Sequence, residues 1–217
     1  MSTHGLTFRQ RQRRVPVNRR LHGLREQIQE VKMKRLILTG LLLGFLVNPL
    51  SAAELRGVQM PDRITIAEQP MVLNGMALRK KVIFKVYVAG LYLPEKESDA
   101  RKILSADAPR RTVMHFVRSV GAGKVNGAWY EGLEANTPGY SADLKQRFDT
   151  LAGFMEDVKS GDELIFTYLP GKGTEVSVKG SVKGTIAGKD FADALFACWI
   201  GEKPGPGEGF KAGLLGL

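Results

Sequence analysis

The chain has 217 residues, 43% of them hydrophobic and 25% charged, and a formal net charge of +10. Residues 1–35 hold ten of the 32 Lys and Arg and two of the 22 acids, so the rest of the chain is near neutral at +2. That balance removes the reason to expect a nucleic-acid partner for the body of the protein, and one cysteine, Cys198, excludes an intrachain disulfide.

Residues 1–32 are basic, with Arg9, Arg11, Arg13, Arg14, Arg19, Arg20 and Arg25, and carry no apolar periodicity. Met33-Lys34-Arg35 then opens an apolar run from Leu36 to Val47, followed by Asn48-Pro49 and the small residues Ser51, Ala52 and Ala53. Cationic start, apolar stretch and small-residue exit are the three parts of a cleavable signal peptide. A twelve-residue helix would reach about 18 Å, short of the roughly 30 Å needed to span a bilayer core. The reading is therefore a signal over residues 33–53, cleavage near Ala53-Glu54, a periplasmic or secreted protein and no stable membrane anchor afterwards. No cysteine follows the small residues, which argues against lipoprotein processing. A signal belongs at the start of a chain, so translation is expected to begin at Met33. The alternative for residues 1–32 is a basic arm or an extended cationic leader.

Residues 54–217 are long enough for one domain with a sizeable core. Extended structure is expected from Val72. The alternating run Arg79 to Leu93 reads as one strand, with Val82, Phe84, Val86 and Val88 on one face and Arg79, Lys81, Ile83, Lys85 and Tyr87 on the other. A short helix follows at 98–106, a strand at 112–120 and a helix at 124–135. Leu144, Phe148, Leu151, Met155 and Val158 fall at helical spacing and predict a helix over 141–159, with Gly161 as its stop. Strands at 163–169, 174–179 and 182–187 come next, the first two joined by a Pro170-Gly171-Lys172-Gly173 hairpin. A helix at 190–200, a Gly/Pro loop and a last short helix close the chain. Strands and helices do not alternate strictly, which predicts an α+β domain with a largely antiparallel sheet and helices on one face.

The chemistry-bearing residues are few. Residues 54–217 contain one histidine, His115, and one cysteine, so no metal-ligand cluster is expected, and neither phosphate loops nor dinucleotide fingerprints occur. No cofactor is expected. His115 reads as a structural or surface residue, Cys198 as a small core residue, and Trp129 and Tyr130 as helix-to-sheet packing. Arg79 and Tyr87 share a face eight residues apart, about 27 Å along a straight strand. Both reach one ligand group only if the chain bends or bulges between them.

Gly75-Met76-Ala77-Leu78-Arg79, leading to Lys85 through Leu93, resembles the Gly-x-Gly-x-Arg segment and following strand of the chalcone isomerase-like family. Lys189 to Leu195 and Trp199-Ile200-Gly201 resemble its last helix and Ile-Gly ending. The resemblance is nearest to a bacterial exported branch. It implies an open-faced β-sandwich, a large antiparallel sheet covered by helices with a ligand cleft between the layers. The family includes plant enzymes that close chalcones to flavanones and non-catalytic relatives that bind fatty acids.

By that resemblance Arg79 matches the enzymes' substrate-holding arginine, and Tyr87 takes the place of their strand threonine, as in the fatty-acid-binding relatives. Their tyrosine and asparagine fall near Gly121 and Ala128, and a late Thr or Ser falls near Asp190. Most of the catalytic set is missing. The function implied is binding of a fatty acid or similar amphipathic carboxylate, with Arg79 and Tyr87 as ligand-binding residues and no catalytic residue. The alternative is an isomerase, an intramolecular lyase, with Arg79 as electrophile.

Overall fold

The computed structural model describes Glu30 and residues 52–217. The signal expected over 33–53 falls almost wholly outside the described residues, as does the basic segment before it apart from Glu30. Strands β3 (Arg63–Ile66), β4 (Gln69–Lys81), β5 (Phe84–Leu93), β6 (Arg110–Phe116), β7 (Glu163–Leu169), β8 (Gly173–Val178) and β9 (Ser181–Ile186) form an antiparallel sheet in sequence order. β1 (Ala52–Leu55) and β2 (Val58–Pro61) pair as a separate hairpin. Among residues 52–217 the helices are α1 (Ala100–Ser105), α2 (Ala122–Asn136), α3 (Ala142–Phe154), α4 (Lys189–Ile200) and α5 (Glu208–Leu214). This is the α+β architecture the sequence predicts, a curled antiparallel sheet covered by helices.

Two apolar clusters lie on opposite faces of the sheet. Ala89, Leu91, Met114, Phe166 and Val176 meet the helices on one side. On the other, Val88, Tyr92, Met71 and Leu73 pack with Val58 and Met60 of β2. β5 is thus covered on both faces from Tyr87 onward. Strand β6 shows the pleat plainly, with Arg110, Thr112, Met114 and Phe116 buried and the residues between them partly exposed. Among the described residues both clusters run from Ala53 to Leu215, and residues 50–217 form one compact unit.

Helix α4 is buried along nearly its whole length, nine of its twelve residues being inaccessible. Its closest helical neighbour is α2, where Gly132 admits Cys198: a Cβ at Gly132 would sit 2.5 Å from the sulfur. The thiol is buried, its pKa pushed up to about 12 by that burial, and it contacts the Ala194 carbonyl oxygen at 3.4 Å. Cys198 is therefore the core residue expected. His115 faces away from Met114 and Phe116, with Nδ1 3.0 Å from Glu163 across the strand pair. Trp129 packs on Phe166 of the sheet, ring centroids 5.4 Å apart. Tyr130 also donates its hydroxyl to Asp149 of α3 at 2.7 Å. It joins two helices, and its ring packs partly buried against the core between helices and sheet.

Four expectations are corrected. The run Arg79 to Leu93 is not one strand: the chain reverses at Val82-Ile83, and Lys81 pairs with Phe84 across a two-residue turn. Val82 and Phe84 are consequently exposed rather than core residues. The strand expected to reach Val120 ends at Phe116, with Val120 bridging singly to Val158. The helix expected to reach Lys159 ends at Phe154, because Met155 leaves helical geometry as its C-cap. Two residues later, Asp157 Oδ1 accepts from the Ala122 backbone N–H at 2.8 Å, a side-chain cap for α2 supplied from another segment.

Two bulges shape β4 and β5. The first, between Leu73 and Gly75, leaves Asn74 outside the ladder. Its buried side chain donates to Leu214 O and Glu97 O and accepts from Glu97 N, each at 2.9 Å. Beside it the strand approaches α5 so closely that a Cβ on Gly75 would stand 2.2 Å from Gly213 O. The second bulge places Val86 and Tyr87 of β5 against Arg79 of β4. An extra residue on one strand breaks the strict alternation of faces.

Candidate functional site

The reversal at Val82-Ile83 decides the site. Residues eight apart in sequence become cross-strand partners, with Arg79 directly opposite Tyr87. Because of the bulge, Phe84, Val86 and Tyr87 all border one cavity, while Val88 belongs to the opposite face. The structure therefore brings together the two residues singled out in the sequence, and both line this cavity of about 630 Å³.

The cavity lies between the sheet, the first half of α2, the end of α4 and the loop at Gly205-Pro206. Phe116, Val125, Trp129 and Trp199 supply apolar wall. Arg79, Lys81, Arg118 and Lys124 also line it, against one acid, Glu131. The volume falls within the roughly 300–1,000 Å³ of small-molecule sites, while the lining carries more cations than such sites usually do.

Arg79 donates from Nη1 to the Pro206 carbonyl at 2.8 Å. That bond ties the guanidinium to the loop between α4 and α5 and uses one of its five N–H donors. Among the described residues no carboxylate pairs with Arg79. Tyr87 is 8% exposed, its ring between Phe116 and Phe210 at centroid distances of 5.6 and 5.7 Å. It is a core residue, contrary to its expected place on a polar strand face. Burial pushes its hydroxyl well above the usual phenol range, partly countered by the Trp199 indole N–H within reach and by the positive charge of Arg79. The phenol stays neutral at any physiological pH and keeps its O–H to donate.

Gly121 and Ala128 both line the cavity and offer no side-chain donor. Asp190 does not belong to the lining; Arg147 of α3 holds both its oxygens, at 2.7 and 2.6 Å. Lys81, Arg118, Lys124 and Trp199 are the cavity residues that sequence reasoning missed. They are dispersed over three elements and a loop, and only the fold brings them to one place, which no local pattern signals. Among the described residues, no group of three His, Cys, Asp or Glu side chains converges as metal ligands would.

A family model described as chalcone isomerase-like matches residues 52–216. Among solved structures the chain is similar to a fatty-acid binding protein of Arabidopsis thaliana, with a TM-score of 0.60 and 15% identity over 76% of this chain and 96% of that one. At that identity the likeness concerns the fold. No curated protein sequence matches.

Proposed function

The chain belongs to the chalcone isomerase-like family, and on that footing we propose that it is a non-catalytic protein binding a fatty acid or a similar amphipathic carboxylate. The observation that carries the reading is the convergence of Arg79 and Tyr87 on one cavity that has both an aromatic wall and a cationic side. A forked cation without an acidic partner among the described residues suits a carboxylate, and a neutral phenol beside it adds a donor. The aromatic wall suits an acyl chain. The plant protein of like fold is described as a fatty-acid binding protein, which is in keeping with the same class of ligand.

The second part of the proposal is export: residues 33–53 act as a signal, removed near Glu54, in a member of a bacterial exported branch. Cleavage there would trim β1 to Glu54-Leu55 and leave β2 and the larger sheet intact. Native mass spectrometry of protein gently extracted from its own host reads both parts. The expected species starts within a few residues of Glu54 and carries a lipid-sized adduct. Mature protein that retains residues 36–47 would refute export, and protein that is free of lipid even when offered fatty acid would refute binding.

Isomerase activity is the competing reading, and Gly121 and Ala128 weigh against it because neither places a donor in the cavity. Loss of one oxyanion donor costs an enzyme on the order of a hundredfold or more. Ring closure of a chalcone is expected to proceed at the buffer rate in the presence of the purified protein. A turnover that depends on Arg79 would reverse the assignment.

A further inference from the structure

The β4–β5 hairpin ends in an arrangement that folding alone does not favour. Val82 and Ile83 are 88% and 80% exposed, and Phe84 is 53% exposed. Val82 has φ +58°, and Ile83 is not among the residues of positive φ. A two-residue turn of that kind wants glycine first, and a β-branched residue there is a genuine outlier. The other two-residue turns among the described strands present Arg56-Gly57, Ala67-Glu68 and Lys179-Gly180. Only this turn sets two branched apolar side chains in water.

The flanks are cationic. Lys80, Lys81 and Lys85 are exposed, and the Arg118 guanidinium lies 4.5 Å from the Phe84 ring centroid. No Asp or Glu occurs between Glu68 and Glu95. Lys81, Phe84, Arg118 and Lys124 also line the cavity. The apolar tip therefore projects beside the cavity.

We propose that this hairpin docks on an anionic lipid surface, with Val82, Ile83 and Phe84 entering the interfacial layer and Lys80, Lys81, Lys85 and Arg118 meeting the headgroups. Apolar side chains beside a basic set are what anionic bilayers hold, each cation adding electrostatic attraction. A protein partner fits less well. A stable protein interface covers about 800 Å² per side, far more than three side chains, and its core is depleted of lysine. Docked in this way, the cavity sits next to the bilayer from which an amphipathic ligand would come. The surface does not rest on the ligand reading, because vesicle binding is measured whether or not the cavity takes a fatty acid.

The test is co-sedimentation with vesicles of phosphatidylcholine alone and of phosphatidylcholine with phosphatidylglycerol. It uses residues 50–217, which form a compact unit, so the apolar run 36–47 cannot supply the binding. The protein should sediment with anionic vesicles and be released by salt. Val82→Gly with Ile83→Asn gives the turn the residues its backbone prefers, so thermal stability should hold or rise while vesicle affinity falls by at least about tenfold. Lys80→Gln, Lys81→Gln and Lys85→Gln together should lower it about a hundredfold. Undiminished sedimentation of either variant, or equal binding to neutral vesicles, overturns the proposal. So does a wild-type dimer that the turn variant converts to monomer with vesicle binding unchanged, since the hairpin would then serve self-association.

Discussion

Asp193→Ala should lower the stability of the domain by about 3 kcal/mol, a fall in Tm of roughly 10 °C, with no change in the cavity. The reason is Arg110, which is 1% exposed on the helix-facing side of β6. Its Nη2 pairs with Asp193 of α4, and Nη1 donates to the Ile103 carbonyl near the end of α1 at 2.9 Å. The rings of Tyr168 and Phe196 flank the guanidinium at 5.0 and 4.9 Å. Lys189 reaches the other Asp193 oxygen at 2.6 Å. One carboxylate thus neutralises a cation that has no route to water, joining α1, β6 and α4. Removing it leaves a buried charge, whose cost is about 3–5 kcal/mol; the lower end applies because Asp193 is itself 31% exposed. Arg110→Met combined with Asp193→Ala should recover most of the loss, since an apolar pair of similar volume is often tolerated. Thermal unfolding of the three variants checks this. Asp193→Ala melting with the parent, or a double variant no better than the single, would show that the pair does not carry this load.

Arg79→Ala should weaken binding of a long-chain fatty acid by about 1.5–3 kcal/mol, the usual worth of hydrogen bonds to a charged group. The same substitution frees the Pro206 carbonyl, which lies in a loop open to water, so the fold should hold. Tyr87→Phe should cost about 0.5–1.5 kcal/mol of affinity, because it removes the hydroxyl and leaves the ring between Phe116 and Phe210. Truncating Tyr87 to Ala is a different experiment. It would open a hole in the core and confuse stability with binding. Titration of the purified variants with fatty acid by calorimetry separates the two contributions, and equal affinity in Arg79→Ala and the parent would remove Arg79 from the site.

Much of this architecture could be read from residue pattern. Leu144, Phe148 and Leu151 announce the buried face of α3, and Pro170 to Gly173 has the turn chemistry that places the β7–β8 hairpin. The β4–β5 hairpin was hidden for the opposite reason. Val82-Ile83 continues an alternating apolar pattern and lacks the Gly or Asn that marks a tight turn. Read as a straight strand, that segment separates Arg79 from Tyr87; folded, it sets them face to face. The strands before Gln69 carry too little pattern to read because they are four residues long, and the turn between β3 and β4 is made of Ala67 and Glu68, both at positive φ. The resemblance supplied Arg79 and Tyr87 as candidates. Their shared cavity, the cations around it and the Arg110–Asp193 pair depend on contacts between residues far apart in sequence, which no local pattern encodes.

The most direct measurement of the central claim, that Arg79 holds a carboxylate in the cavity, compares a long-chain fatty acid with its methyl ester in parent protein and in Arg79→Ala. The two ligands share an acyl chain and differ in the charge that Arg79 is assigned to meet. The parent should prefer the acid by about tenfold or more, and Arg79→Ala should bind both alike and hold the ester as tightly as the parent does. If the parent binds acid and ester equally, or if the preference for the acid survives in Arg79→Ala, the carboxylate is not held by this residue and the account of the site is wrong.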